Sequence, residues 1–161
     1  MKKLPFYLKI ISFVLLIFIW DYIFINYRNL PLSVPIHFDW DGKPNFFVPR
    51  IMIWFFAGVA TFIYLLIFYL SKNINSPLLK MPQNLKEDSL KAEKIVSVYH
   101  LIMMMILTVI TYESIAVGLE KYDTVSPLTN YLIILLFLVV LAMMIYSYQI
   151  SKKNGSQNAL P

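Results

Sequence analysis

The amino-acid sequence predicts an all-α integral membrane protein with four transmembrane helices and an ordered extracytoplasmic loop between the first two. Of its 161 residues, 59% are hydrophobic and 14% are charged, whereas soluble domains average about 45–50% and about 25%. The apolar residues form uninterrupted blocks longer than the ~18 residues that begin to span a bilayer. These observations exclude an ordinary water-soluble domain. We expect residues 1–161 to form a single membrane domain.

Each predicted span is an apolar block long enough to cross the bilayer as a helix. The four blocks cover about residues 4–27, 51–70, 95–119 and 128–150. The first ends in Trp20-Asp21-Tyr22 rather than at a small-residue cleavage site, which indicates an uncleaved span. The mixed-charge residues 84–94 are expected to lead helically into the third span. The polar tail, residues 151–161, is expected to be frayed.

The distribution of basic residues predicts the orientation of the chain in the membrane. One side of the predicted spans carries ten of them: Lys2, Lys3, Lys9, Lys72, Lys80, Lys86, Lys91, Lys94, Lys152 and Lys153. The other side carries four: Arg28, Lys43, Arg50 and Lys121. Because the more basic side is normally cytoplasmic, we expect both termini in the cytoplasm and residues 28–50 outside.

The loop at residues 28–50 is the most informative segment. Apolar and polar residues alternate from Ile36 to Asp41, and the dipeptide Asp41-Gly42 favours a tight turn, so a short hairpin-like arm is predicted. Period two gives the arm an apolar face that should rest on the spans, formed by Ile36, Phe38 and Trp40. The opposite face is polar and consists of His37, Asp39 and Asp41. Four prolines stiffen the segment: Pro31, Pro35, Pro44 and Pro49.

The polar face of the arm has three possible roles. It can contact a ligand or partner directly, with Trp40 and Asp41 contributing to recognition. It can bind a metal, because the His37 imidazole and Asp39 carboxylate suit zinc or manganese. It can also be structural, with the imidazole capping loop carbonyls and Asp39 forming an Asx turn.

Apart from Lys9 near the start of the first span and the tyrosines, the predicted spans contain three ionisable residues: Asp21, Glu113 and His100. Such residues are costly in a bilayer and usually face the protein interior. The helical rise places Asp21 and Glu113 at a similar depth near the outer boundary, so both could join His37 in one site. Alternatively, each carboxylate reaches headgroups or pairs with Arg28 or Arg50. His100 acts either in a proton relay or as a hydrogen-bonding residue between helices.

One motif in the loop resembles a known family. It reads Leu30-Pro31-x-x-Val34-Pro35-Ile36-His37-Phe38-Asp39-x-x-Gly42-x-Pro44-Asn45. The motif is similar to the signature of the bacterial membrane family called domain of unknown function 1648, which also forms the N-terminal part of SdpI-type bacteriocin immunity proteins. That family usually has Asn in place of Asp39 and Asp in place of Asn45. The resemblance implies a bacterial cytoplasmic-membrane protein and a role in immunity or signalling.

Motifs for enzymatic chemistry are missing from the sequence. It contains no phosphate-cradling glycine loop, no zinc-protease histidine pair and no nucleophile elbow, so we expect a non-enzyme without a cofactor. The first functional hypothesis is an immunity or sensory module that recognises an extracellular peptide or envelope component and signals to a cytoplasmic regulator. The second is an ion-permeation or auxiliary transport subunit. The expected surroundings are the lipid bilayer, and no nucleic-acid partner is predicted.

Overall fold

The computed structural model describes residues 3–157, and four of its helices are long and apolar enough to cross a membrane. The helices are α1 (Lys3–Asn26), α2 (Ile53–Lys72), α3 (Gln83–Lys86), α4 (Ser89–Gly118) and α5 (Leu128–Gln157). Two strands lie between α1 and α2, namely β1 (Ser33–Phe38) and β2 (Pro44–Pro49). Short 3₁₀ turns at Tyr27–Asn29 and Arg50–Met52 flank the strands. The fold class predicted from the sequence is confirmed.

Helix α4 occupies the centre of the bundle. Within its most apolar stretch, 44% of the residues are buried inside the protein, against 28% for α1, 28% for α2 and 6% for α5. The helix begins at Ser89 because the Asp88 carboxylate caps it, accepting a hydrogen bond from the Lys91 backbone N–H at 3.1 Å. That bond, reinforced by the Lys91 ammonium group, lowers the pKa of Asp88. The mixed-charge stretch leads helically into the third span from Ser89 onward, but a break at Glu87 and Asp88, which was not predicted, separates α3 from α4.

The interior consists of three apolar clusters arranged along α4. The largest joins α1, α2, α4 and the hairpin, and its buried members are Leu16, Ile19, Ile23, Leu30, Val34, Ile53, Ala57, Ala60, Met104 and Ile115. A second cluster joins α2 to the start of α4 and contains Ile67, Ile74, Ala92 and Val96. The third attaches α5 to α4 through Ile102, Ile106 and Leu132. Among the described side chains of α5, Leu132 is the one hydrophobic residue that is buried.

The two ends of the bundle differ in structure. The hairpin end comprises residues 27–52 and 119–127, whereas the basic end comprises the start of α1, residues 73–88 and the end of α5. At the hairpin end, β1 packs closely on α4, because a Cβ added at Gly118 would lie only 3.5 Å from both Pro35 and Val34 side-chain atoms. At the basic end, Asn84 and Ser147 exchange two hydrogen bonds of 2.7 and 2.8 Å. Helix α5 is thus attached at both ends by polar contacts.

The hairpin is antiparallel, with Val34 opposite Val48 and His37 opposite Phe46. The connection differs from the predicted tight turn at Asp41-Gly42. Asp39 pairs with Lys43 through a 2.9 Å backbone hydrogen bond, which leaves a three-residue loop whose last member, Gly42, has φ +77°. Three-residue hairpin loops place glycine at this left-handed position. The turn chemistry of Gly42 was predicted correctly, but the loop is one residue longer.

The expectation that Trp40 packs against the spans is wrong. Its side chain is 94% exposed, because β1 ends at Phe38 and the alternation of faces ends with it. The residues of β1 that pack inward are Val34 and Pro35, and the register is irregular on both sides of His37. The expectation of a frayed tail is also wrong for residues 151–157, which continue α5. Extending an existing helix needs no new nucleation, and residues 158–161 lie outside the described part.

Candidate recognition site at the hairpin end

A cavity of about 350 Å³ lies between the tip of the hairpin and the adjoining ends of α4 and α5. Three separate segments of the chain contribute polar side chains to its lining: His37, Asp39 and Asp41 from the hairpin, Glu113 from α4, and Ser126, Thr129 and Asn130 from the α4–α5 connection and the start of α5. Its apolar lining includes Ile36, Phe38, Ile110 and Ile133. The structure therefore brings together His37, Asp39 and Glu113, which the sequence separates by up to 76 residues.

Asp39 shapes the tip of the hairpin. Its Oδ1 accepts hydrogen bonds from the backbone N–H groups of Asp41, at 3.0 Å, and Lys43, at 2.8 Å. These are the contacts of an Asx turn, which was one of the interpretations drawn from the sequence. An asparagine could make the same two bonds through its side-chain oxygen. The shape of the tip therefore does not require the charge of Asp39, which remains available to the cavity.

His37 is exposed and held across the hairpin by Asn45. Its Nδ1 donates a hydrogen bond to Asn45 Oδ1 at 2.5 Å, so the neutral imidazole presents Nε2 as an acceptor. That nitrogen makes no hydrogen bond within residues 3–157. The expected capping of a loop carbonyl is not observed. Direct contact with a ligand remains the prediction for this side chain.

Glu113 links α4 to the start of α5 through hydrogen bonds. The residue is 7% exposed, and its Oε1 accepts hydrogen bonds from both the backbone N–H, at 3.0 Å, and the hydroxyl of Ser126. Its Oε2 accepts a 3.2 Å bond from the Thr129 hydroxyl. A carboxylate beside the first turn of a helix is also stabilised by the helix dipole. Glu113 thus pairs with neither Arg28 nor Arg50.

The hairpin tip is joined to the connection between α4 and α5. The Val125 N–H donates to the Gly42 carbonyl oxygen at 2.9 Å. The approach is so close that a Cβ built on Gly42 would lie 2.6 Å from the Val125 carbonyl oxygen. Because Ser126 in turn binds Glu113, the hairpin tip, the connection and both helices form one continuous structure. A ligand that moves the tip would move α4 and α5 with it.

The other two intramembrane polar residues lie away from this cavity. Asp21 is exposed on α1 and makes no hydrogen bond or ion pair within the described residues. His100 is fully buried beside Tyr64, with ring centroids 4.8 Å apart, and neither ring nitrogen has a hydrogen-bond partner in the part of the chain that the structure describes. The hydrogen-bonding role expected for His100 is therefore not observed. A relay role for His100 stays a prediction.

Among the described residues, His37 and Asp39 have no third ligand with which they could hold a metal ion. Across residues 3–157, no group of three or more His, Asp or Glu side chains is arranged to hold a metal ion.

The sequence analysis missed two residues that line the same cavity as His37 and Asp39, namely Ser126 and Thr129. They lie 13 and 16 residues beyond Glu113 along the chain. The one signal in the sequence that could have indicated them is the position of Ser126 just before Pro127 and the start of a helix.

Comparison with known proteins agrees with the motif in the loop. The family model described as Domain of unknown function (DUF1648) matches residues 13–61. This segment begins within α1, includes the whole hairpin and ends within α2. No curated protein and no solved structure matches the chain. Residues 13–61 are therefore similar to domain of unknown function 1648, and the hairpin that lines the cavity lies entirely inside the matched segment.

Proposed function

We propose that this protein is an immunity or sensory module of the bacterial cytoplasmic membrane, and that its hairpin-end cavity recognises a peptide or another envelope component. The observation that carries the proposal is the convergence of His37, Asp39 and Glu113 on one cavity of about 350 Å³, within the range typical of small-ligand sites. The match of residues 13–61 to a family that includes the hairpin supports it.

The chemistry of the cavity suits a ligand with both apolar and hydrogen-bonding groups. Its apolar lining can pack a hydrophobic side chain, while the Asp39 carboxylate and His37 Nε2 accept hydrogen bonds. Trp40, 94% exposed, stands at the rim. Tryptophan is enriched among the residues that contribute most to binding energy in protein interfaces. A peptide with a basic or amide group would satisfy all three features.

The same contacts provide a route for a signal. The Gly42–Val125 and Ser126–Glu113 bonds connect the tip to the two helices that run from the hairpin end to the basic end. We infer that ligand binding shifts the start of α5 relative to α4, and that a cytoplasmic regulator senses the change at the basic end.

This proposal requires the hairpin end to face outward. The ten-to-four distribution of basic residues supports that orientation. A reporter active only in the cytoplasm should therefore work when fused after Ser156 and fail when inserted after Lys43. The reverse pattern would place the cavity in the cytoplasm and contradict an extracellular ligand.

Recognition is testable by photo-crosslinking in cells that express the full chain. Benzoylphenylalanine placed at position 40 should form an adduct with a peptide or envelope component. The matched control is the same probe at Leu32, which is 81% exposed at the hairpin end but does not line the cavity. Asp39→Asn, which keeps the Asx turn, and His37→Gln should each lower the adduct yield about tenfold, because the first removes a charge and the second replaces the imidazole acceptor with an amide oxygen in a different position.

Two results would contradict recognition at this site. Adducts at positions 40 and 32 that contain only the same lipids would show that Trp40 is an interfacial anchor. Yields unchanged in Asp39→Asn and His37→Gln, at equal protein abundance, would show that the polar face is only structural.

A second candidate function is an ion-permeation or auxiliary transport subunit, supported by the buried Glu113 carboxylate beside His37. Asp21, the third residue expected for such a site, does not line the cavity. Purified protein in liposomes should then show cation- or pH-dependent flux that Glu113→Gln abolishes. Peptide adducts without flux would favour the first function, and flux without adducts the second.

A further inference from the structure

A groove runs along α4 and α5 at the basic end, far from the cavity described above. It is a cavity of about 440 Å³ between the two helices, with Ile95, Val139 and Met143 in its walls. A separate cavity of about 290 Å³ shares these three residues but extends toward α2 and the 73–82 connection. The three shared residues therefore stand between the two cavities, and we call the 440 Å³ cavity the basal groove.

The walls and the rim of the basal groove differ in chemistry. The walls are almost entirely apolar, whereas two lysines stand at the rim, Lys91 and Lys94 in the first turns of α4. Lys91 is exposed and Lys94 is half-buried. An apolar channel that opens between ammonium groups matches a molecule with a hydrocarbon chain and an anionic head.

The nearby acidic residues leave part of this positive charge uncompensated. Lys91 pairs with Asp88 at 3.1 Å, but Glu93 is bound to Lys9. Within the described residues, Lys94 makes no ion pair. The rim therefore retains a net positive charge.

We propose that the basal groove is a binding site for an anionic phospholipid, with an acyl chain between α4 and α5 and the phosphate at Lys91 and Lys94. Basic pockets between membrane helices at the cytoplasmic side recognise anionic headgroups in this way. Free phosphate would gain nothing from the apolar walls. A second copy of the chain would bring its own lysines against this rim, and the like charges would repel. This site is independent of the proposed recognition function.

Native mass spectrometry of the purified full chain, exchanged into mixed phosphatidylglycerol and phosphatidylcholine, tests the proposal. The parent protein should retain phosphatidylglycerol in preference to phosphatidylcholine. Lys91→Gln with Lys94→Gln should reduce that preference about 10- to 30-fold, since each lysine near the headgroups contributes about fivefold. The matched control is Lys72→Gln with Lys86→Gln, which removes the same charge from the same end of the bundle but not from the groove.

Two further variants separate the headgroup from the acyl chain. Asp88→Asn retains the helix cap and frees Lys91 from its ion pair, so it should strengthen the preference for phosphatidylglycerol. Val139→Trp fills the groove and should lower retention of both lipids. In the parent protein, high salt should reduce retention of phosphatidylglycerol, which tests the role of charge without a variant.

Several outcomes would overturn the proposal. Equal retention of the two lipids, or equal losses in the groove and control variants, would reduce the site to ordinary lipid contact. Displacement of phosphatidylglycerol by inorganic phosphate alone would identify a free-ion site. A dimer that replaces bound lipid at the groove would identify a second copy of the chain as the occupant.

Discussion

Glu93→Ala should lower the free energy of unfolding by about 3 kcal/mol, the lower end of the cost of breaking a buried ion pair by removing one partner, because the Glu93 side chain is 28% exposed. Lys9 Nζ donates to Glu93 Oε1 at 2.5 Å, and the Lys9 side chain is 8% exposed. The ammonium group also lies over the Phe68 ring, 5.9 Å from the centroid. Removing the carboxylate therefore leaves an uncompensated charge between α1 and α4. Thermal unfolding in detergent would measure the loss.

The matching control replaces both partners with apolar residues. Lys9→Met combined with Glu93→Leu should recover most of the stability, because well-packed apolar residues can replace a buried ion pair without loss. If Glu93→Ala unfolds at the temperature of the parent protein, Lys9 is not buried in the membrane-embedded state. If the double variant is as unstable as Glu93→Ala, the loss arises from packing and not from charge.

Gly42→Val should destabilise the hairpin end by about 3 kcal/mol, combining a strained left-handed residue with a lost backbone hydrogen bond. Gly42 has φ +77°, and its added Cβ would meet the Val125 carbonyl oxygen at 2.6 Å. Thermal unfolding should show the loss, and the crosslinking yield at position 40 should fall with it. Hydrogen exchange should show the Val125 amide exposed.

Gly58→Ala provides the control for this variant. Gly58 lies within α2, and a Cβ at this position meets no atom within 4 Å. Alanine favours helix by up to about 1 kcal/mol over glycine, so this variant should be at least as stable as the parent. Equal changes in stability for Gly42→Val and Gly58→Ala would show that neither the left-handed conformation of Gly42 nor its contact with Val125 contributes to stability.

The architecture could be predicted because each span is a long apolar block and the hairpin lies between proline-rich flanks with a glycine turn. Trp40 was misplaced for a local reason. Alternation indicates faces only while a strand continues, and the Asp39 side chain ends the strand by taking the amides of Asp41 and Lys43. A sequence pattern does not show where such a side chain replaces the strand's hydrogen bonds.

Contacts between distant segments were the part that the sequence could not reveal. Lys9 counted only as a basic residue near a span end, yet its partner Glu93 lies 84 positions away. The depth argument correctly placed Glu113 near the hairpin end, but it could not distinguish Glu113 from Asp21. That difference depends on which face of each helix meets a neighbour, and uniformly apolar helices carry little information about their buried face.

The way α5 is attached has a consequence for biosynthesis. Only 6% of its most apolar stretch is buried, while polar contacts hold its two ends, at Glu113 and at Asn84. A transmembrane helix satisfies its backbone hydrogen bonds internally, so α5 can reside in lipid before it joins the bundle. The ribosome releases α1, α2 and α4 first, and these three share the largest apolar cluster. We therefore expect α5 to dock on a preformed bundle of α1, α2 and α4, and its docking completes the cavity at the hairpin end.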